Sequence, residues 1–547
     1  MTLSTSPRNA PIVALALLAL LSGVCALSSP RAETVLRRGE AGDPSTFDPQ
    51  KTSTVIEADV LYDLFEGLLT YDPSGALAPG AAESWSVSPD GLTYVFRLRE
   101  AQWSNGDPVR ADDFVFTFRR LLDPATGAEY ANLYYPIRNA EAVARGEAAP
   151  SALGVRAIDD RTLEIALDRP TPYFLAVVAH QTSAPVNPRN VEKFGRAFAR
   201  PGNLVSNGAF RLAAFTPNDE TVLVKNPYFH AARDVAIDKE IIASIDDRAA
   251  AFLRFRAGEI DSYDDAPADE LAFVRERLED EFHVAPTLGI LYLAFNTKKP
   301  PFDDSRVRNA LSMVVDREFL AERIWGGAMA PAYAFVPPGL DNYVTGIAAE
   351  FRDLSPIERE DRARALLKEA GYGEERPLSI EIRYNTSENN KATAVAIAEM
   401  WKPVGVAATF VNTDVKTHFG LLQNGGDFDV ARAGWIGDYS DPQNFLFLFE
   451  SGNARLNYAR WSKGAFDALM KKAAAETDLR LRAKTLAEAE RLLLAEEPVI
   501  PLLFFESKNM VSRRVKGWRD NLLDRHLARY LSIEPGEADR GARDTRR

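Results

Sequence analysis

The chain has 547 residues, too many for one ordinary domain, and length alone suggests two to four. Hydrophobic residues make up 46% and charged residues 26%, the balance of a protein that buries its cores. The 65 basic and 78 acidic residues leave a formal charge of −13 with no Lys/Arg stripe, which argues against nucleic acid as a partner.

Arg8 precedes an apolar run at 12–21, and small residues follow through Ser29. That is a basic region, an apolar region of export-signal length and a cleavage zone, so 1–32 reads as a signal peptide cut after Ala26 or Ala32. The run is too short for a permanent membrane anchor. Cys25, the only cysteine, lies inside it. Leu21-Ser22-Gly23-Val24-Cys25 loosely matches a lipoprotein attachment site, but Val24 is bulky where such sites want Gly or Ala, so no lipid anchor is expected. Cleavage beyond Cys25 leaves a mature chain with no thiol chemistry.

Residues 34–38 alternate as a strand and run into turns at Gly42-Asp43-Pro44 and Asp48-Pro49. Over 57–69, Val60, Leu61, Leu64 and Leu68 recur at helical spacing, and Asp72-Pro73-Ser74-Gly75 is a turn. Tyr94, Phe96 and Leu98 alternate with Val95, Arg97 and Arg99 as on a half-buried strand. After the turn Asn105-Gly106-Asp107-Pro108, Asp112 is expected to cap a helix with Phe114, Phe118 and Leu121 on one face. Strands are expected at 153–157, 162–167, 221–225 and 237–244. Beyond them, helices at 306–313, 362–370 and 391–401 alternate with strands at 290–296, 378–384 and 406–411, which predicts an α/β lobe. A helix at 479–494, a buried strand at 499–505 and a polar, disordered tail at 536–547 complete the chain. No low-complexity linker separates these parts, so hinges crossed more than once are expected to join the lobes.

No catalytic constellation emerges. His180, His230, His283, His418 and His526 are isolated, with none at the i, i+4 spacing of a zinc helix. No Gly-rich phosphate cradle follows a strand, and no Gly-x-Ser-x-Gly elbow occurs. The pairs Asp246-Asp247 and Asp264-Asp265 sit in turn-like contexts and read as solvated caps. No enzyme activity, metal or cofactor is expected.

A set of strings carries a resemblance. They are Asp63-Leu64-Phe65-Glu66-Gly67-Leu68-Leu69, Pro79-Gly80-Ala81-Ala82-Glu83-Ser84-Trp85 and Trp103-Ser104-Asn105-Gly106-Asp107-Pro108-Val109. Lys299-Pro300-Pro301-Phe302 follows, and the sharpest is Phe428-Asp429-Val430-Ala431-Arg432-Ala433-Gly434-Trp435. In this order the chain resembles the peptide and nickel class, family 5, of extracytoplasmic solute-binding proteins of ABC importers, over about residues 36–530. The resemblance implies an α/β, two-lobed periplasmic-binding-protein fold of the Venus flytrap kind, type II-like, with an extra small domain. Domain I would comprise 33–65, 187–288 and 508–547 (the last including the tail), domain II 66–186 and domain III 289–507. Ligand would be enclosed between domains I and III. The implied partners are short peptides and membrane permease subunits, for a monomeric receptor in the periplasm.

Residue roles come from the same resemblance. An extended peptide would be held through the main chain at Ser53, Thr54 and Val55 on one side and Gly434, Trp435 and Ile436 on the other. Glycine at 434 lets a foreign backbone approach closely. Asp438 matches the carboxylate that receives the ligand's α-ammonium, a charge-assisted contact of about 1.5–3 kcal/mol. Without that context it is a turn residue before Asp441-Pro442. Arg432 falls on the face of Gly434 and matches an arginine able to meet a ligand carboxylate; the alternative is a salt bridge to Asp429 or Asp438. Trp435 and Tyr130 match aromatic positions near side-chain pockets, or pack as core.

The chain departs from the family at Trp325 and Asn390, where relatives offer positive or titratable groups to longer peptides. It departs also at Val415 and Phe505, and at Gly289 and Ile436, which stand where relatives often carry a disulfide. Keeping Arg432 without the deeper cations predicts peptides of about three residues. The alternatives are the same fold receiving a murein peptide, an opine, a sugar or nickel, a periplasmic peptide chaperone, or a secreted hydrolase.

Overall fold

The computed structural model describes residues 1–2, 33–52, 54–264, 266–267, 270–340, 342–373 and 375–534. Residues 3–32 of the expected signal peptide with Cys25, Ser53, Asp265 and the expected tail at 536–547 lie outside these residues.

The longest strands organise the molecule. Phe282–Phe295 and Val499–Val511 run antiparallel, and their ladder breaks register between Pro286 and Ile290. From Ile290 to Phe295 alternate side chains enter two different cores: Ile290, Tyr292 and Ala294 one, Leu291, Leu293 and Phe295 the other. A strand covered on both faces needs an unbroken apolar run, which this segment has. The neighbouring strands extend the sheet to eleven members. On one side lie Val430–Ile436, Leu378–Asn385 and Val406–Thr413; on the other lie Ser262–Tyr263, Val35–Glu40, Lys239–Ser244, Glu220–Lys225 and Phe210–Thr216. Met329–Pro331 pairs with Val499–Val511 off that path. This is the mixed α/β architecture expected of a two-lobed binding protein.

The two halves of the sheet have separate cores. Leu36, Val60, Leu61, Leu64, Phe210, Leu223 and Ile237 pack beneath the first half. The second half is sandwiched between Ile380, Ile382, Ile397 and Trp401 on one face and Phe335, Phe445, Phe449 and Leu486 on the other. A further core belongs to a separate four-stranded antiparallel sheet, ordered Ala82–Val87, Thr93–Leu98, Thr162–Ala166, Val155–Asp159. Phe114, Phe118 and Leu121 of the helix Ala111–Leu122 cover it.

Several expected elements differ in their bounds. The helix placed at 362–370 begins at Pro356 behind a Ser355 cap, and the strands placed at 290–296 and 499–505 span Phe282–Phe295 and Val499–Val511. Two further differences are at helix starts. The helix placed over 57–69 spans Val55–Leu64. Thr54 and Glu57 form a reciprocal capping box that starts it early, and at the other end the Leu64 carbonyl accepts the Gly208 N–H while Phe65 turns extended. Asp112 does not cap its helix. Arg110 occupies the cap position, and the Asp113 carboxylate reaches back to the Arg110 N–H at 2.9 Å and the Trp103 indole N–H at 3.1 Å. A carboxylate one turn in fixes the helix start by accepting the cap residue's own N–H, while the Ala111 N–H donates to the Asp160 carbonyl. Among the described residues no helix is long and apolar enough to cross a membrane.

Candidate functional site

The strand Val430–Ile436 is fixed on both sides, antiparallel to Phe282–Phe295 and parallel to Leu378–Asn385. Its backbone is held from a third direction by His418, whose Nε2 donates to the Arg432 carbonyl at 2.8 Å. That bond requires the proton on Nε2. Burial lowers the His418 pKa and keeps the ring neutral, leaving Nδ1 buried with no partner.

Arg432 and Gly434 share a face. A Cβ at 434 would lie 3.2 Å from the Ile290 carbonyl oxygen and 3.7 Å from Arg432 Nη2, so any side chain there would press on backbone and crowd the guanidinium. Burial pushes the Arg432 pKa down to about 10. Its Nε is buried without a hydrogen-bond partner, and no carboxylate among the described residues pairs with it. The two suggested counter-ions are engaged elsewhere. Asp429 meets Lys299 at 2.7 Å and accepts the Glu381 N–H at 3.0 Å, while Asp438 faces Tyr130 and Asn444.

Where the strand ends, Ile436 is 62% exposed and the Gly437 N–H donates to the Leu288 carbonyl at 2.7 Å. Asn444 organises the next residues. Its Oδ1 accepts from the Trp435 indole at 2.9 Å and from the Asp438 N–H at 3.3 Å, and its amide bonds to the Asp438 carboxylate. Trp435 also packs edge-on to Phe447. The Tyr130 hydroxyl provides the second bond to Asp438. Burial outweighs both bonds and pushes the Asp438 pKa up to about 6. The result is a half-buried carboxylate with neutral donors and, among the described residues, no paired cation.

Of the three positions expected to face that strand, Ser53 lies outside the described residues, and Thr54 and Val55 open a helix instead of an extended edge. The Thr54 N–H is committed to Glu57 at 3.1 Å, and the Val55 side chain is exposed. Asn390 is buried, and its amide donates to the Asn385 carbonyl at 3.1 Å. The Trp325 indole donates to Thr393 at 3.1 Å, one turn along the same helix, Glu388–Trp401. These two positions contribute no charge. Val415 is exposed at the start of its helix, and the Phe505 ring covers Gly289, where a Cβ would come within 2.3 Å of it. Gly289 and Ile436 are direct cross-strand partners.

Sequence reading missed the roles of Asn444 and His418. Asn444 follows a visible turn, Asp441-Pro442, that signals a helix start; the role of His418 depends on its contact with the next strand.

The family model for bacterial extracellular solute-binding proteins, family 5 (its middle region), matches residues 76–457. The chain is 37% identical over 486 residues to the Haemophilus influenzae periplasmic oligopeptide-binding protein OppA, covering 87% of this chain and 89% of the relative. It is 36% identical over 483 residues to the Escherichia coli periplasmic murein peptide-binding protein MppA, covering 88% and 89%. The structure is similar to the unliganded open form of the murein tripeptide-binding protein MppA, with a TM-score of 0.84, 34% identity and coverage of 93% and 98%. The chain belongs to family 5 of the bacterial extracellular solute-binding proteins.

Proposed function

We propose that the protein is the extracytoplasmic receptor of an ABC importer, capturing short peptides in extended form between two lobes and delivering them to permease subunits, without catalysis. One observation carries the reading: a single strand and its exit hold two unneutralised charges of opposite sign, Arg432 and Asp438. A free peptide is a zwitterion and supplies both missing partners. The main chain around Gly434 contributes bonds that ignore side-chain identity. The relatives named for oligopeptides and murein peptide support this ligand class.

Trp325 and Asn390 offer no cation beyond Arg432, which favours peptides of about three residues. A murein peptide is the second reading, favoured by the likeness to MppA. In this account residues 1–32 are removed on export, with no lipid at Cys25, and the periplasmic receptor works as a monomer. Lobes built from 33–65 with 187–288 and 508–547, and from 289–507, close on the ligand, and 66–186 forms the additional domain.

Mass spectrometry of ligand released from the purified native protein tests the reading. Peptides of about three residues with free amino termini are expected. Recovery only of sugars, metal or amine-blocked compounds would contradict it.

A further inference from the structure

The segment after Asp438 is gripped by the small four-stranded lobe. Tyr439 is 4% exposed and belongs to the same apolar core as Phe96, Phe114 and Phe174. Its ring lies flat on Tyr173, with centroids 5.1 Å apart and planes 5° from parallel. Its hydroxyl donates to Gln443 Oε1 at 2.7 Å. Two residues on, Asp441 accepts both terminal nitrogens of Arg482 at 2.7 Å. The Arg482 guanidinium carbon also lies 5.8 Å from the centre of the Tyr173 ring. Tyr173 is therefore the meeting point of the small lobe, the segment after Asp438 and the helix Leu479–Glu496.

We propose that Tyr173 is a positioning residue for recognition of the ligand's amine, acting on Asp438 through the stack with Tyr439. The inference rests on the reading of Asp438 as the ammonium acceptor. The peptide plane shared by residues 438 and 439 couples their orientations, so a Tyr439 ring clamped in another lobe's core limits where the Asp438 carboxylate can point. A charge-assisted bond is strongly directional, so a half-buried carboxylate that swings off target loses much of it even after a small displacement. The small lobe thus acts on the site twice, directly through Tyr130 and indirectly through Tyr173.

The test is the ratio of dissociation constants for trialanine and N-acetyl-trialanine, measured by calorimetry. Tyr173→Leu removes the stack but keeps an apolar side chain; it is expected to cut the free-amine preference about tenfold while leaving the weak affinity for the acetylated ligand unchanged. Tyr173→Phe keeps the ring and is expected to retain the preference. Tyr439→Leu, which breaks the same stack from the other side, should match Tyr173→Leu and serves if that variant does not fold. A Tyr173→Leu protein with wild-type preference, or with equal loss for both ligands, overturns the proposal. Asp438→Asn separates the two claims: if it abolishes the preference while Tyr173→Leu leaves it intact, the ammonium reading stands and the positioning role falls. Preference retained in Asp438→Asn sinks both.

Discussion

The Tyr130 hydroxyl hydrogen-bonds the Asp438 carboxylate, joining the small four-stranded lobe to the exit of the strand Val430–Ile436. Tyr130 itself packs against the His180 ring at 5.1 Å, and burial holds that histidine neutral with its pKa near 3. The two groups that bond the acid, Tyr130 and Asn444, are both neutral, and burial raises its pKa to about 6. An incoming ammonium needs the charged form. Affinity for a free-amine peptide is therefore expected to hold above about pH 6 and to fall about tenfold per unit below it. Tyr130→Phe removes a bond that favours the charged form, so the midpoint should move to higher pH. Calorimetry across this range checks both.

The same shift has a consequence for the empty protein. The folded-state pKa lies above the ordinary carboxylate value, so the native state holds the Asp438 proton more tightly than the unfolded chain. Its contribution to stability is greatest at acid pH and declines as pH rises through the window up to about 6. Asp438→Asn should flatten that component of the melting-temperature profile. An unchanged profile would place the titration elsewhere.

Arg432 is a half-buried cation, its Nε sealed from solvent and with no counter-ion among the described residues, so it is a burden on the empty fold and an asset to the complex. Arg432→Met should raise the melting temperature of the ligand-free protein. It should also weaken binding of a tripeptide by about 1.5–3 kcal/mol, with a smaller loss for the carboxyl-amidated form. A titration series from di- to hexapeptide should give the tightest binding near three residues, and a pentamer optimum would remove Arg432 from the carboxylate role.

The Arg482–Asp441 pair is two-pronged and almost fully buried. Asp441→Ala leaves a buried guanidinium unpaired and is expected to cost about 3–5 kcal/mol, read from denaturant unfolding. Glu164→Ala, which breaks the surface pair with Arg156, should cost less than about 1 kcal/mol.

Much of the fold could be read from residue patterns. The apolar runs at 290–296 and 499–505 identified the two central strands, because residues buried on both faces leave no polar alternation. Helix starts were harder. Thr54 and Arg110 were missed because a carboxylate at the third helical position completes each cap, so the visible acidic residue is not the boundary. At the site, Asp438, three residues beyond the string 428–435, was legible only through the family resemblance, whereas Gly434 stood out through that string, which contains it. The state of Arg432 did not, since Asp429 looks available until Lys299, 130 positions earlier, is seen to hold it. Tyr173 and Tyr439 were invisible for a similar reason: an aromatic residue in a loop gives no sign of which lobe will bury it.

Amine recognition by Asp438 is the central claim, and the most direct measurement is the dissociation constant of one tripeptide before and after N-acetylation, in the wild-type protein and in Asp438→Asn. Acetylation is expected to weaken wild-type binding by at least about tenfold, the scale of losing one charge-assisted bond, and to make little difference to the variant. Equal wild-type binding of the free and acetylated peptides would contradict the account.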